Sequence, residues 1–261
     1  MLLLIDVGNT STTYGLYRHG RASGIKHTET DKFPSILSKL IGNKISIPIE
    51  FIVLSSVVPK MTLKVRKVLK QNGKLNQLYV LGENLRVQIK HNYKTFGKLG
   101  RDRLANIYGS LKLYRPPLLI MDFGTALTCD YISRHGVFEG GLIIPGPEIA
   151  LKALSERAAL LPKVPFPKKG GSLLGRNTRE GMQAGILQGV AAMTDGLIDR
   201  FKQRFGSSIK AIATGGLAPI IFPLTRKIDV LDPFLTLRSL ALAFLEHGPR
   251  LSPLDKRRGS A

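Results

Sequence analysis

Cysteine is almost missing from this sequence: 261 residues hold one, Cys129. A disulfide framework is therefore excluded, and a reducing, cytoplasmic compartment is the expectation. Long apolar runs are missing too. Met1-Leu-Leu-Leu-Ile is apolar, but no basic segment precedes it and Asp6 ends it. It is too short for a signal-peptide core or a membrane span. No later stretch comes near ~18 unbroken apolar residues, so a soluble protein with no membrane partner is expected.

Acidic residues are scarce. Asp and Glu number 18 against 39 Lys and Arg, a formal charge of +21. Such an imbalance attracts polyanions through its summed field. The cations are spread along the chain, with Lys60, Lys64, Arg66, Lys67 and Lys70 in one segment, Lys168 and Lys169 in a loop, and Lys256, Arg257 and Arg258 in the tail. No zinc-ligand spacing or aromatic-rich RNA-binding strand accompanies them. The preferred reading is a solvated basic surface that helps gather anionic substrates. Nucleic acid is not expected as a partner.

What is present is a foldable chain with an internal echo. It is 43% hydrophobic and only 22% charged, enough apolar material for one large domain or two half-size ones. Residues 2–12 read Leu-Leu-Leu-Ile-Asp-Val-Gly-Asn-Thr-Ser-Thr, and residues 118–128 read Leu-Leu-Ile-Met-Asp-Phe-Gly-Thr-Ala-Leu-Thr. Each is a buried-strand pattern closing on Asp-x-Gly, then hydroxyl residues, then a returning strand (Thr13–Tyr17 and Thr128–Ile132). Either copy alone could be chance. Together, about half a chain length apart, they suggest a duplicated α/β domain.

The remaining pattern agrees. Phe51–Val58 and Gln77–Leu81 read as strands, Met61–Gln71 and Arg101–Tyr114 as helices. Pro116 and Pro117 break the chain between halves. Then come a strand at Val137–Ile144, a helix at Glu148–Leu160, a Pro/Lys/Gly loop at 163–171, and a long helix from about Thr178 to Phe205. A strand at Ile209–Ala213 closes on Thr214-Gly215-Gly216, and a last helix spans Leu237–Glu246. The expected divisions are 1–115, 116–247 and a basic, frayed tail at 248–261.

A carboxylate at the carboxyl end of a strand, beside a glycine turn, suits phosphate and Mg²⁺. Glycine lets backbone N–H groups approach phosphate oxygens, hydroxyls donate hydrogen bonds, and the Asp holds the metal directly or through its water shell. Ligands of open α/β sheets bind beyond the carboxyl ends of strands, so two such turns could clamp a triphosphate. There is no Walker A loop and no Gly-x-Gly-x-x-Gly, which excludes the usual P-loop and Rossmann sites. Asp122-Phe123-Gly124 spells the protein-kinase metal triplet, but the other motifs of that fold are missing.

Gly100-Arg101-Asp102-Arg103 is the second candidate. Its Asp falls in a helix's first turn, where partial positive charge favours the ionised form. It could accept the proton of a substrate hydroxyl while Arg103 pairs with a substrate carboxylate. An Asp in that position also often does no more than stabilise the helix. Thr214-Gly215-Gly216 reads either as a turn that a flat ring approaches closely or as a plain strand-to-helix turn.

The ordered set Asp6-Val-Gly-Asn-Thr10, Ser55-Ser-Val-Val-Pro59, Gly100-Arg-Asp-Arg103, Asp122-Phe-Gly-Thr-Ala126 with Asp130, Gly140-Gly141 with Pro145-Gly146, Asn177-Thr178 and Thr214-Gly-Gly216 resembles type III pantothenate kinase. The resemblance spans about residues 1–245. It implies an actin-like ATPase fold of the acetate and sugar kinase/Hsp70/actin type, with two ribonuclease-H-like domains around a nucleotide cleft. It also implies ATP-dependent phosphorylation of pantothenate to 4'-phosphopantothenate, the first step of coenzyme A biosynthesis.

By matching positions, Asp6, Val7, Gly8, Asn9, Thr10, Ser11, Thr12 and Thr13 would form the first phosphate turn, with Asp6 near Mg²⁺. Thr125, Gly215 and Gly216 would contact ATP, and Asp102 would be the general base. Tyr93, Gly100, Arg101, Asp102, Arg103 and Thr178 would hold pantothenate. Asp122 would bind the K⁺ or NH₄⁺ that the family requires. A homodimer is implied, with Thr178 able to serve the neighbouring subunit. One departure is visible: the family often reads Tyr-x-Asn-Pro before the catalytic motif, where this chain has Tyr93-Lys-Thr-Phe96. The alternatives are a kinase of another small hydroxylated substrate and a non-catalytic regulatory protein of the same fold. The joint presence of Asp6, Asp102 and Asp122 argues against the second.

Overall fold

The computed structural model describes residues 1–42 and 49–251. In chain order the strands are β1 (Leu2–Val7), β2 (Ser11–Arg18), β3 (Arg21–Glu29), β4 (Phe51–Ser56), β5 (Leu78–Val80), β6 (Leu118–Phe123), β7 (Ala126–Ile132), β8 (Phe138–Pro145), β9 (Lys210–Thr214) and β10 (Val230–Leu231). The helices are α1 (Phe33–Gly42), α2 (Pro59–Gln71), α3 (Arg101–Leu113), α4 (Pro147–Arg157), α5 (Thr178–Phe205), α6 (Ala218–Ile221) and α7 (Leu235–His247). Packing divides them into two units. The first holds Met1–Ile89, Thr95–Lys112 and the chain from Thr236 onward; the second holds Lys90–Lys94 and Leu113–Leu235.

The first unit is a five-stranded sheet in the order β3-β2-β1-β4-β5. The central strand β1 runs antiparallel to β2 and parallel to β4, and an unbroken apolar run is what a strand covered on both faces needs. On one face Leu3, Ile5, Val7, Ile52 and Leu54 pack with Phe33 and Leu37 of α1 and Met61, Val65 and Leu69 of α2. The i, i+4, i+8 spacing of those α2 residues puts them on one stripe. The other face carries Phe51, whose ring lies 5.1 Å from Phe244 of α7 and 5.6 Å from Tyr79. Burying each such side chain contributes about 1.5–3 kcal/mol.

The second unit repeats the plan: read from the other end, its sheet is β8-β7-β6-β9-β10. Again a central strand, β6, has an antiparallel hairpin partner and a parallel neighbour. Leu119, Met121 and Phe123 of β6 and Leu127 of β7 pack with Leu187, Val190 and Ile198 of α5. Cys129 is fully buried in that core. The fold is thus α/β with two sheets of one topology.

Differences from the sequence expectation are informative. The strand β3 and helix α1 were not anticipated: β3 is an edge strand, mostly exposed, with no apolar alternation to mark it. Helix α7, expected with the second half, packs in the first unit through Phe244 and through Ser239, which lies where a Cβ on Gly109 would stand. The expected tail lies outside the described residues from position 252 on.

Candidate active site

In the first unit β1 delivers Asp6 to the carboxyl end of the sheet, and the chain turns back through 8–10 into β2. Gly8 N–H donates to Ser11 O at 3.0 Å, and a Cβ on Gly8 would stand 2.9 Å from that same oxygen, so the turn needs glycine. Thr30 braces it: its hydroxyl donates to Gly8 O at 2.8 Å and lies 3.1 Å from Thr12 Oγ1, and its N–H donates to Thr10 O at 3.0 Å. Thr12 is buried in this brace, whereas Asn9, Thr10 and Ser11 are exposed at the tip. Asp6 pairs in register with Thr13 on one side and Ser55 on the other. Ser55 Oγ is buried with no hydrogen-bond partner among the described residues.

Asp102 is the second residue of α3. Its Oδ1 accepts the Arg103 N–H at 2.7 Å, and a Cβ on Gly100 would lie 2.5 Å from that oxygen. Burial raises its pKa above the usual aspartate value, with the Arg103 N–H and the Arg103 charge pulling the other way. Arg103 itself is buried. Arg101 is committed elsewhere: its guanidinium donates to Leu81 O and lies 4.0 Å from Glu83, which also pairs with Arg66 at 2.5 Å. Beside Gly100 a groove of about 700 Å³ is lined by Ser56, Thr62, Lys98 and Arg101 among others.

In the second unit Asp122 is the next-to-last residue of β6, and after Phe123 the chain turns through Gly124 and Thr125 into β7. Gly124 N–H donates to Ala126 O and Gly146 N–H to Thr125 O, both at 3.1 Å. Asp122 pairs with Thr128 in β7 and Thr214 in β9. Gly215 has φ +93°, and a Cβ there would stand 2.3 Å from Asp122 Oδ1 and 2.8 Å from Phe123 O. Only glycine tolerates both the angle and the approach. Thr214 Oγ1 is buried with no hydrogen-bond partner among the described residues. Asp130 is buried in β7. Gly216 is exposed beside the half-buried Gly215.

Two further expected residues also belong to this unit. Tyr93 sits in a segment joined to β8 by Phe138 N–H to Lys90 O and Asn92 N–H to Phe138 O, with its ring 5.4 Å from that of Phe138. Thr178 is exposed at the first position of α5, where Asn177 Oδ1 accepts the Glu180 N–H and Glu180 Oε2 accepts the Arg176 N–H, both at 2.9 Å.

The sequence model described as type III pantothenate kinase matches residues 2–200. The chain belongs to that family. A type III pantothenate kinase of Bacillus cytotoxicus is 34% identical over 252 residues, 94% of this chain and 95% of its own. Among solved structures, a conserved protein of Campylobacter jejuni described as a Baf family transcriptional activator superposes with a TM-score of 0.60 at 19% identity, covering 94% of this chain and 98% of that one. The ethanolamine utilization protein EutJ of Carboxydothermus hydrogenoformans gives 0.56 at 12% identity, with 92% and 88% covered. At those identities the superpositions speak to the fold alone.

Family membership implies use of ATP with a metal ion. Among the described residues no three His, Cys, Asp or Glu side chains converge as a metal centre. A single carboxylate beside hydroxyls and backbone, as at Asp6 and Asp122, suits ions that keep water and phosphate ligands. Sequence reasoning missed Thr30 as the brace of the first turn and Ser55 as the buried hydroxyl residue paired with Asp6. Ser55 lies inside a motif already singled out; Thr30 had no signal beyond being a threonine.

Proposed function

We propose that this chain is a pantothenate kinase: it transfers the γ-phosphoryl group of Mg·ATP to the terminal hydroxyl of pantothenate, giving 4'-phosphopantothenate in the first step of coenzyme A biosynthesis. The observation that carries the reading is Asp102, a buried carboxylate with a raised pKa, inside the Gly100–Arg103 motif of a chain that belongs to the family. A base tuned upward toward neutral pH removes a hydroxyl proton more effectively, an effect typically worth ~10²–10⁴ in rate.

In this reading the hydroxyl oxygen attacks the γ-phosphorus as Asp102 accepts its proton, and ADP leaves. The turn from Asp6 through Thr13 receives ATP phosphates, with Thr125, Gly215 and Gly216 as further ATP contacts. Asp6 holds Mg²⁺ and Asp122 the K⁺ or NH₄⁺ ion. Both ions, when bound, neutralise charge on the phosphate oxygens. Arg103, Tyr93 and Thr178 hold pantothenate with the backbone of Gly100 and Arg101. The groove beside Gly100 supports room for a small acid there. Arg101 takes part through its main chain, because its side chain is tied to Leu81 and Glu83.

The same reading makes each sheet the core of a ribonuclease-H-like domain in an actin-like ATPase, and the working form a cytoplasmic homodimer. Exposed apolar side chains in the second unit, Ile143 on edge strand β8 and Leu160, Leu173 and Leu174 in the loop before α5, support an interface between copies. Thr178, at the end of that loop, could then serve the partner subunit. ADP release with pantothenate and Mg·ATP, in K⁺ or only Na⁺, tests the proposal. Pantothenate- and K⁺-dependent turnover that collapses in Asp102→Asn supports it. No turnover under any cation sinks it.

A further inference from the structure

A row of four residues crosses the first sheet at the phosphate turn. Ser55 pairs with Asp6, Asp6 with Thr13, and Thr13 with His27 of β3. Residues paired directly across strands point to the same face. The outer pair is also bonded: Thr13 Oγ1 and His27 Nδ1 are 2.9 Å apart. The matching row of the second sheet is Thr214, Asp122, Thr128 and Ile143. The imidazole therefore has no counterpart there, and it is not among the residues that family resemblance singles out.

A threonine hydroxyl has a single proton. If that proton goes to Nδ1, the oxygen offers only lone pairs to an approaching phosphate. If Nδ1 carries the hydrogen, it donates to Oγ1 and leaves the hydroxyl proton for an anion. We propose that His27 is a positioning residue for ATP: its Nδ1–H donates to Thr13 Oγ1, so that the Thr13 hydroxyl donates to a phosphate oxygen. The bound anion selects this arrangement because only this one presents a donor. Chains of hydrogen bonds ending on a charged acceptor reinforce one another. The proposal rests on the reading of Thr13 as an ATP contact.

Steady-state kinetics of the full-length enzyme with Mg·ATP as the varied substrate separate the possibilities. His27→Ala raises KM for ATP about three- to tenfold, the value of one oriented hydrogen bond, while kcat and KM for pantothenate stay close to wild type. His27→Asn, whose amide N–H can replace the Nδ1–H, recovers most of the loss. Thr13→Val raises KM for ATP by a similar factor, and adding His27→Ala to it changes nothing further. An unchanged KM in His27→Ala beside a raised one in Thr13→Val overturns the role of His27. So do equal effects of His27→Ala in both backgrounds. A wild-type KM in Thr13→Val overturns the reading of Thr13 instead. His27 is exposed on an edge strand, so the variants fold, which a thermal melt verifies.

Discussion

Asp6 and Asp122 hold the same place in two sheets of one topology. Each is the next-to-last residue of the central strand, each faces a hydroxyl residue across the antiparallel hairpin, and each has on the parallel neighbour, Ser55 or Thr214, a buried hydroxyl with no hydrogen-bond partner among the described residues. Leaving a buried hydroxyl unpaired costs about 1–3 kcal/mol, so finding one at both equivalent positions argues for a shared task. The differences lie one step further out. The first row ends in His27 and the second in Ile143; the helix after the first sheet begins Arg101-Asp102, and the helix after the second begins Leu235-Thr236. Thr236 donates to Asn106 at 2.8 Å, a packing bond, where Asp102 is a buried carboxyl with a raised pKa. On the proposed reading one plan serves for phosphate binding, and the acid–base chemistry belongs to the first copy alone.

The sharpest way to break that contrast is Asp102→Asn. Turnover should fall by about 10²–10⁴ while the fold survives, measured by ADP release and a thermal melt. Stability should move the other way. Because the folded pKa is raised, both states are protonated well below the ordinary aspartate range and no penalty exists there. As pH rises through the window between the ordinary and the raised value, the unfolded chain ionises first. Ionisation of the folded form then carries the desolvation cost, so stability is lost with rising pH. Asparagine escapes this. The variant should melt above wild type at neutral pH and converge with it in acid, and a constant difference at all pH values would contradict the burial argument.

Next in size is the comparison of the two aspartates. Asp6→Asn should cut kcat/KM by about 10²–10³ and raise the Mg²⁺ requirement. Asp122→Asn should cost about tenfold or less and flatten the response to K⁺ against Na⁺. If both variants change the Mg²⁺ and K⁺ titrations alike, the two turns do not divide the ions as proposed. The glycines should also differ. Gly215→Ala meets both a forbidden φ and the Asp122 carboxylate, and should destabilise by about 1–3 kcal/mol. Gly8→Ala needs only the Ser11 carbonyl to shift and should cost about 1 kcal/mol. Chemical denaturation of the pair measures this directly.

How much of this was legible in the sequence depends on how local the signal is. The two Asp-x-Gly hairpins could be read because a buried strand, a required glycine and a returning strand are contiguous. Helix α5, expected from about Thr178 to Phe205, has those bounds, and a local cap of Asn177 on the Glu180 N–H fixes its start. Strand β3 was not legible, since an exposed edge strand held by its partner's backbone has no apolar pattern of its own. His27 was hidden for the same reason: its pairing with Thr13 exists only once the register of β2 and β3 is known. The placement of α7 in the first unit depends on Phe244 meeting Phe51 and Tyr79, contacts across most of the chain that no local pattern encodes.

The smallest effect on the folded chain is expected where the two rows end. Ile143 is 65% exposed, so Ile143→Thr should change the stability of a single chain by no more than about 0.5 kcal/mol. If β8 lies at an interface between copies, the same change removes apolar area that association would bury. The fraction of dimer at low concentration should then fall, and melting should become more dependent on protein concentration. Sedimentation across a dilution series distinguishes the two. A wild-type dimer weakened by Ile143→Thr but not by Leu63→Thr, an exposed leucine of α2 in the first unit, places the interface on the second. Equal weakening by both would remove the asymmetry that sets Ile143 apart from His27, leaving the exposed isoleucine as ordinary surface.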